Sequence, residues 1–302
     1  MYLGIEIGGT KLQLGLGAGD GHIAALWRGA VNPAEGSEGI RKQIERAVPE
    51  LLAKANLDRG ALRGAGIGFG GPTDDTTRTV IKSHHIAGWD GFPLADWVSD
   101  LVGVPTVLCN DADVAGLGEA LFGAGKGLSP IFYITAGSGI GGGLVIDGRI
   151  YRGAGKGAAE VGHLRPVYPL AGGAHDQILE HWAAGWGIGA RASAGGGRAV
   201  TGKDVADAAQ RGDARARRIL DEAVQALAEG VCSVIKLLCP RRVIIGGGVS
   251  LIGEELLFAP LRRYVTERGF AAFAGLTDIV PAALGEEVVV HGALALARQK
   301  LG

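Results

Sequence analysis

In IFYITAGSGIGGGLVIDGRIYR, residues 131–152, an apolar run from Ile131 to Thr135 enters a glycine-rich turn, Gly137 to Gly143, and leaves it as a second apolar run, Leu144 to Ile146. Asp147-Gly148 then marks a tight hairpin turn, and Arg149 to Arg152 a third short strand. The glycines satisfy a loose GxGxxG spacing, but a dinucleotide fingerprint requires a helix directly after them. A strand and a hairpin follow instead, so the dehydrogenase reading fails.

The same order stands at the N-terminus. Leu3 to Ile7 reads as a strand, Gly8-Gly9-Thr10-Lys11 as its turn, Leu12 to Leu16 as a second strand, Asp20-Gly21 as a hairpin turn and His22 to Ala30 as a third strand. Gly9 and Gly137 are 128 positions apart, which points to a duplicated domain. Each meander is followed by helical and parallel-strand patterns. In the first half these are a helix from Ser37 to Ala55, a strand from Gly64 to Gly68, a helix around Pro93 to Val102 and a strand from Thr106 to Cys109. In the second, a long helix from Val205 to Leu238, broken near Gly212, precedes the strand Arg242 to Ile245, the cluster Gly246-Gly247-Gly248 and a helix starting near Gly253. The expectation is an α/β protein of two domains: residues 1–115 with the returning helix 286–302, and residues 116–285. With no low-complexity linker between them, the halves are expected to flank a cleft.

Composition narrows the function classes. The chain has 302 residues, 30 basic and 31 acidic side chains and no block of lysine or arginine, so nucleic acid and anionic membrane are not expected partners. Glycine makes up 54 positions, about 18% against a usual ~7%. With 47% hydrophobic residues the chain is neither disordered nor collagen-like, so the glycines serve turns and close backbone approaches. No apolar run approaches the roughly 18 residues of a membrane span. Tyr2 opens a strand pattern rather than an export signal. Three cysteines, Cys109, Cys232 and Cys239, form no CxxC pair, which makes a reducing cytoplasm the default and core packing the plain reading of the last two.

Several residues carry chemistry. Gly8, Gly9, Thr10 and Lys11 follow a strand as a phosphate-cradling turn does; alone they are equally an ordinary hairpin. Glu6 puts a carboxylate beside that turn, where a hydrated Mg2+ bridging phosphates fits. Thr135, Gly137, Ser138 and Gly139 supply a second such turn, and Gly247 and Gly248 allow close approach to a nucleoside. Asn110-Asp111 ends an apolar strand, the place where α/β sheets gather ligands, although an aspartate there also caps helices. Glu160, His163 and Glu180 add groups able to bind the hydroxyls of a polyol.

The order IEIGGTK, GFGGPTD, GWDGFPL, NDADVAGLGEALFGAGKG, ITAGSGIGGGLVIDGRIYRGAGKGAAEVGHL and VIIGGGVS resembles the ROK family of bacterial sugar kinases and regulators nearly end to end. The resemblance implies two RNase H-like domains of the actin/hexokinase type flanking a cleft, ATP and Mg2+ as cofactors, a hexose as substrate and a homodimer. It implies Asp111 as catalytic base and Gly71, His85, Asn110, Glu160, His163 and Glu180 as sugar contacts. Gly9, Thr10, Lys11, Gly137, Ser138 and Gly247 match the family's nucleotide turns. Three departures stand out. The family's CxCGxxGC zinc motif is missing, since residues 169–179 contain no cysteine, so no thiolate-held structural zinc is expected. His163, His175, Asp176 and His181 are a remote substitute. His84-His85 replaces the family's Pro-Asn, and Gly70 replaces a usual proline.

The expected activity is ATP-dependent phosphorylation of a hexose at a primary hydroxyl, glucokinase-like, with fructose, mannose or an N-acetylated hexosamine as alternative acceptors and polyphosphate still open as donor. The competing class is a catalytically silent sugar sensor or regulator. A repressor needs a helix-turn-helix ahead of the first phosphate turn, and seven residues precede Gly8.

Overall fold

The computed structural model describes residues 1–83, 86–166, 177–194 and 199–302. Strands β1 (Tyr2–Ile7), β2 (Lys11–Gly17) and β3 (Ile23–Ala30) form the first meander, followed by α1 (Gly36–Lys54), β4 (Gly64–Phe69) and the short hairpin β5 (Thr73–Asp74) and β6 (Thr79–Val80). Helix α2 (Leu94–Val102), β7 (Thr106–Asn110) and α3 (Asp111–Phe122) come next. The second series is β8 (Ile131–Ala136), β9 (Ile140–Ile146), β10 (Arg149–Ile150), α4 (Leu179–Ala183), α5 (Gly185–Ser193), α6 (Gly202–Gln210), α7 (Ala214–Leu238), β11 (Arg242–Gly246), α8 (Ala259–Arg268), β12 (Asp278–Pro281) and α9 (Val288–Leu301).

Two five-stranded sheets have the same topology. Their orders are β3-β2-β1-β4-β7 and β10-β9-β8-β11-β12, so in each an antiparallel meander leads through its first strand to two parallel strands. The duplicated pattern read from residues 2–30 and 131–152 is thus a duplicated sheet. The chain divides into two compact units, one of residues 1–127, 143–158 and 283–302, the other of residues 128–142 and 159–282. Gly116, where the sequence pattern places a boundary, lies inside α3.

Alternation along the strands explains how the first sheet is covered. In β1, β2 and β4 one face carries Leu3, Ile5, Ile7, Leu12, Leu14, Leu16, Ala65, Ile67 and Phe69, all in one buried cluster with Ile40, Ile44 and Val48 of α1 and Leu94 and Val98 of α2. The other face carries Gly4, Gly15, Gly66 and Gly68, and α9 lies on these glycines through Val289, Val290, Ala293 and Leu294. A methyl group on Gly66 would overlap the Ala293 carbonyl. Helix α9 meets α3 in the same way: a methyl on Gly118 would stand 2.7 Å from the Val288 oxygen, and one on Gly292 would overlap the Val114 oxygen. Backbone packs on backbone there because no side chain stands between.

The structure corrects three local readings. The glycine turn after β8 is Gly137 to Gly139 only; Ile140 already belongs to β9, so Gly141 to Gly143 are strand residues. The segment after Gly253 begins with a wide π turn at Glu254–Phe258, and the α-helix starts at Ala259. Cys239 is the left-handed residue ending α7 (φ 41°) and is half-buried, whereas Cys232 packs in the core. Among the described residues, no helix is long and apolar enough to cross a membrane.

Gly66→Ala is expected to cost about 1–3 kcal/mol, the usual price of overpacking against backbone that cannot move aside. Urea unfolding checks it; an unchanged midpoint would mean that α9 is not seated on the glycine face as described.

Candidate active site

In the first unit the parallel register sets the site. Ile7 pairs with Phe69 and Phe69 with Asn110, so β1, β4 and β7 end level with one another. The residues that follow, Gly8, Gly70 and Asp111, therefore share the carboxyl edge of the sheet. Gly70 N–H donates to the Ile7 oxygen (2.8 Å), and a methyl on Gly70 would stand 3.4 Å from Asp111 Oδ2. Where the family usually has proline, Gly70 thus keeps the space beside this carboxylate open.

The first turn of α3 separates two adjacent polar residues by role. Asn110 is extended (φ −62°, ψ 145°) and its Oδ1 accepts from the backbone N–H of Ala112 (2.9 Å) and Asp113 (3.3 Å), which makes it the helix cap. Its Nδ2 donates to the Gly71 carbonyl at 3.1 Å. The amide of Asn110 is engaged within the fold at both ends. Asp111 is the first residue of the helix, half-buried, and the capping explanation for it falls away.

Glu6 and Lys11 flank the first glycine turn, which is closed by Gly8 N–H to the Lys11 oxygen at 3.0 Å. Lys11 Nζ donates to Glu6 Oε1 (2.9 Å) and to the Glu286 carbonyl (3.0 Å), using two of its three donors. Glu6 is 4% exposed, and its Oε2 is buried with no hydrogen-bond partner. Burial pushes its pKa up to about 7; Lys11 pulls it down, and the carboxylates of Asp111 and Glu286 add to the rise. Desolvation outweighs the lysine because Lys11 is 40% exposed and its charge is partly screened by water. A single orphaned carboxylate oxygen suits an outer contact to a hydrated Mg2+. Among the described residues there is no group of three potential metal ligands.

The second unit gathers the other glycine turn and three polar candidates. Gly246 of β11 pairs with Thr135 of β8, which brings Gly247 and Gly248 beside the turn Gly137–Gly139; the Gly248 nitrogen would lie 3.9 Å from a methyl on Gly137. Gly247 has φ 82° and a methyl there would stand 2.6 Å from the Ala136 oxygen, so only glycine fits. The turn is closed by Gly137 N–H to the Gly139 oxygen (2.8 Å) and clasped from α4 and α5 by two contacts. Gly185 N–H donates to the Gly137 oxygen (2.8 Å), and Glu180 Oε2 accepts from Ile140 N–H (2.7 Å). A methyl on Gly139 would stand 2.6 Å from that Glu180 oxygen. Glu160, just before the 3-10 turn Val161–His163, and His163 at its end are exposed neighbours, Oε2 to Nδ1 3.5 Å. Gly162 within this turn abuts the Ile140 carbonyl, so Glu160, His163 and Glu180 are grouped around the start of β9.

His84, His85, His175 and Asp176 lie outside the described residues. Two buried or half-buried charged positions escape sequence reading. Arg152 binds Asp75 with both Nε (3.1 Å) and Nη2 (2.8 Å), Asp113 with Nη1 (2.5 Å) and the Thr73 carbonyl (3.2 Å), fastening the β5–β6 hairpin to α3. Glu119 is fully buried. Its signal was available, because a glutamate within the small and apolar run GLGEALFGAG must find partners if that helix is interior.

Two sheets of one topology, each ending in glycine turns where its meander meets the parallel strands, define the actin/hexokinase-type class of α/β proteins. The profile of the ROK family matches residues 2–300, and the chain belongs to that family. A glucokinase of Thermotoga maritima is 32% identical, covering 99% of this chain and 98% of its own. A putative fructokinase of Bacillus subtilis is 32% identical over 100% of this chain and 96% of its own. Among solved structures, a ROK family glucokinase from Streptomyces griseus in complex with glucose and AMPPNP matches with a TM-score of 0.79 and 33% identity, covering 99% of each chain.

The raised pKa of Glu6 has a definite sign. A folded-state pKa of about 7 against an ordinary 4.5 means the native state holds the proton more tightly, so folding stability falls as pH rises from about 4.5 through 7. Glu6→Gln removes this dependence and should gain on wild type by roughly 2–4 kcal/mol between pH 4.5 and 8, measured by denaturant unfolding. Equal pH profiles for the two proteins would show that Glu6 titrates as an ordinary carboxylate.

Proposed function

We propose that this protein is an ATP-dependent hexose kinase of the glucokinase type, phosphorylating a primary hydroxyl with Asp111 as general base. The observation that carries the reading is the division of labour at the start of α3: Asn110 caps the helix, and the Asp111 carboxylate stands beside Gly70 at the carboxyl edge of three parallel strands. Family membership and the activities named for its full-length relatives support the same reaction. In this mechanism Asp111 accepts the hydroxyl proton as the sugar oxygen attacks the γ-phosphorus. Phosphoryl transfer through a loose transition state asks mainly for alignment and charge stabilisation, so a well-placed carboxylate suffices.

Gly8, Gly9, Thr10, Lys11, Thr135, Gly137, Ser138, Gly139, Gly247 and Gly248 are assigned to the nucleotide. Gly71, His85, Asn110, Glu160, His163 and Glu180 are assigned to the sugar, with Asn110 acting through the Gly71 carbonyl that it orients. Mg2+ would neutralise phosphate charge, held from the protein side by Glu6. A cytoplasmic location and a homodimeric state complete the proposal. The glucokinases among its full-length relatives favour an active kinase over a silent sensor.

Asp111→Asn should lower kcat by about 10²- to 10⁴-fold with sugar affinity within a few-fold, as loss of a general base does. Turnover near wild type would remove Asp111 from the mechanism. A coupled ADP-release assay across glucose, mannose, fructose, N-acetylglucosamine and N-acetylmannosamine identifies the acceptor, and no turnover with any of them would defeat the kinase reading.

Gly248 offers a cleaner test of the nucleotide assignment. A methyl there meets nothing within 4 Å, so Gly248→Ala should melt like wild type. If the backbone closely approaches the nucleotide, KM for ATP should nevertheless rise several-fold. Unchanged ATP kinetics would place the nucleotide elsewhere.

A further inference from the structure

Glu119 is 0% exposed, yet its three hydrogen-bond partners are all backbone N–H groups. Oε1 accepts from Ala283 and Leu284 at 2.9 Å each, and Oε2 from Ala124 at 2.7 Å. Burying a carboxylate costs several kcal/mol unless its charge is well satisfied, and an apolar residue packs a helix more cheaply. A charge retained at such a place implies that these particular amides must be held. Ala124 lies just before the chain first leaves the first unit, and Ala283 is the first residue on its last return.

The held segment leads to the nucleotide turn. Leu284 precedes the 3-10 turn Gly285–Glu287, in which Gly285 is left-handed (φ 62°). The Glu286 carbonyl in that turn accepts from Lys11 Nζ (3.0 Å) and Gln13 Nε2 (3.3 Å), and the Glu287 carboxylate pairs with Arg28 of β3. Helix α3 therefore carries Asp111 at its first residue. Eight residues later, about 12 Å along the axis, it carries the carboxylate that fixes the loop on which Lys11 rests.

We propose that Glu119 is a positioning residue for the phosphate donor: it locks the 283–287 loop to α3 and so sets the Lys11 ammonium in register with Asp111. The proposal rests on the assignment of Lys11 to the nucleotide. Glutamine cannot replace this carboxylate, although it has the same shape. Its amide offers one acceptor oxygen, and its NH2 must then face either the Ala124 N–H or the Ala283–Leu284 pair, donor against donor. Glu119→Gln thus releases one side of the clamp with little change in volume.

The test is steady-state kinetics with ATP and hexose varied separately, for wild type, Glu119→Gln, Lys11→Ala and the double variant, with thermal melts of each. Glu119→Gln should raise KM for ATP by about tenfold, the scale of one hydrogen bond to a charged group, while KM for the sugar stays within twofold. The double variant should be little worse than Lys11→Ala alone, since both changes disable one device. A lowered melting temperature with KM for ATP unchanged, an equal rise in both KM values, or full additivity with Lys11→Ala would each make Glu119 merely structural and overturn the proposal. If Lys11→Ala leaves KM for ATP unchanged, the nucleotide assignment of Lys11 is what fails, and the proposal falls with it. Should Glu119→Gln not fold, Gly285→Ala strains the same loop at its left-handed residue without touching the buried carboxylate. It should raise KM for ATP selectively, and failure to do so counts against the proposal.

Discussion

The register of β1, β4 and β7 is the constraint on which the first unit's chemistry depends. Parallel strands one residue out of step would carry Gly8, Gly70 and Asp111 to different heights and turn alternate side chains to opposite faces. With Ile7, Phe69 and Asn110 level, three chain turns meet at one edge, and the first residue of α3 arrives beside Gly8 and Gly70. The Asn110 amide stabilises this meeting by capping α3 and holding the Gly71 carbonyl.

That register is maintained from behind by glycine. Because Gly4, Gly15, Gly66 and Gly68 present almost no side chain, α9 lies directly on the sheet, and Gly118 with Gly292 brings α3 directly against α9. Close packing of this kind leaves little room for sliding. Part of the high glycine content thus serves helix-on-sheet and helix-on-helix contact, and another part supplies left-handed turns.

Two of the buried carboxylates of the first unit, Glu119 and Glu6, show opposite solutions to one problem. Glu119 has three amide donors, so its charge is satisfied and it serves as a clamp. Glu6 has one lysine and one orphaned oxygen, and burial raises its pKa into the neutral range. Such an unfinished site stores a tendency to bind a cation or a proton.

The sequence alone determined the meanders, their duplication, the strands β4, β7 and β11 with helices α1, α2, α7 and α9, and the residue types at the carboxyl edges, but not β5, β6, α4, α5 or β12. Each of these depends on neighbours within a few positions: alternation makes the strands, and Asp20-Gly21 and Asp147-Gly148 make the turns. It also carried the family resemblance through motifs such as IEIGGTK and NDADVAGLGEALFGAGKG. What it could not decide was which of two adjacent polar residues caps α3, where the second glycine turn ends, and what Glu119 and Arg152 hold. Two of the three amides bound by Glu119 belong to residues 164 and 165 positions away, and Arg152 reaches Asp75 across 77. Partners so distant are brought together only when the sheet register and the α9 packing are complete, so their roles belong to the tertiary structure.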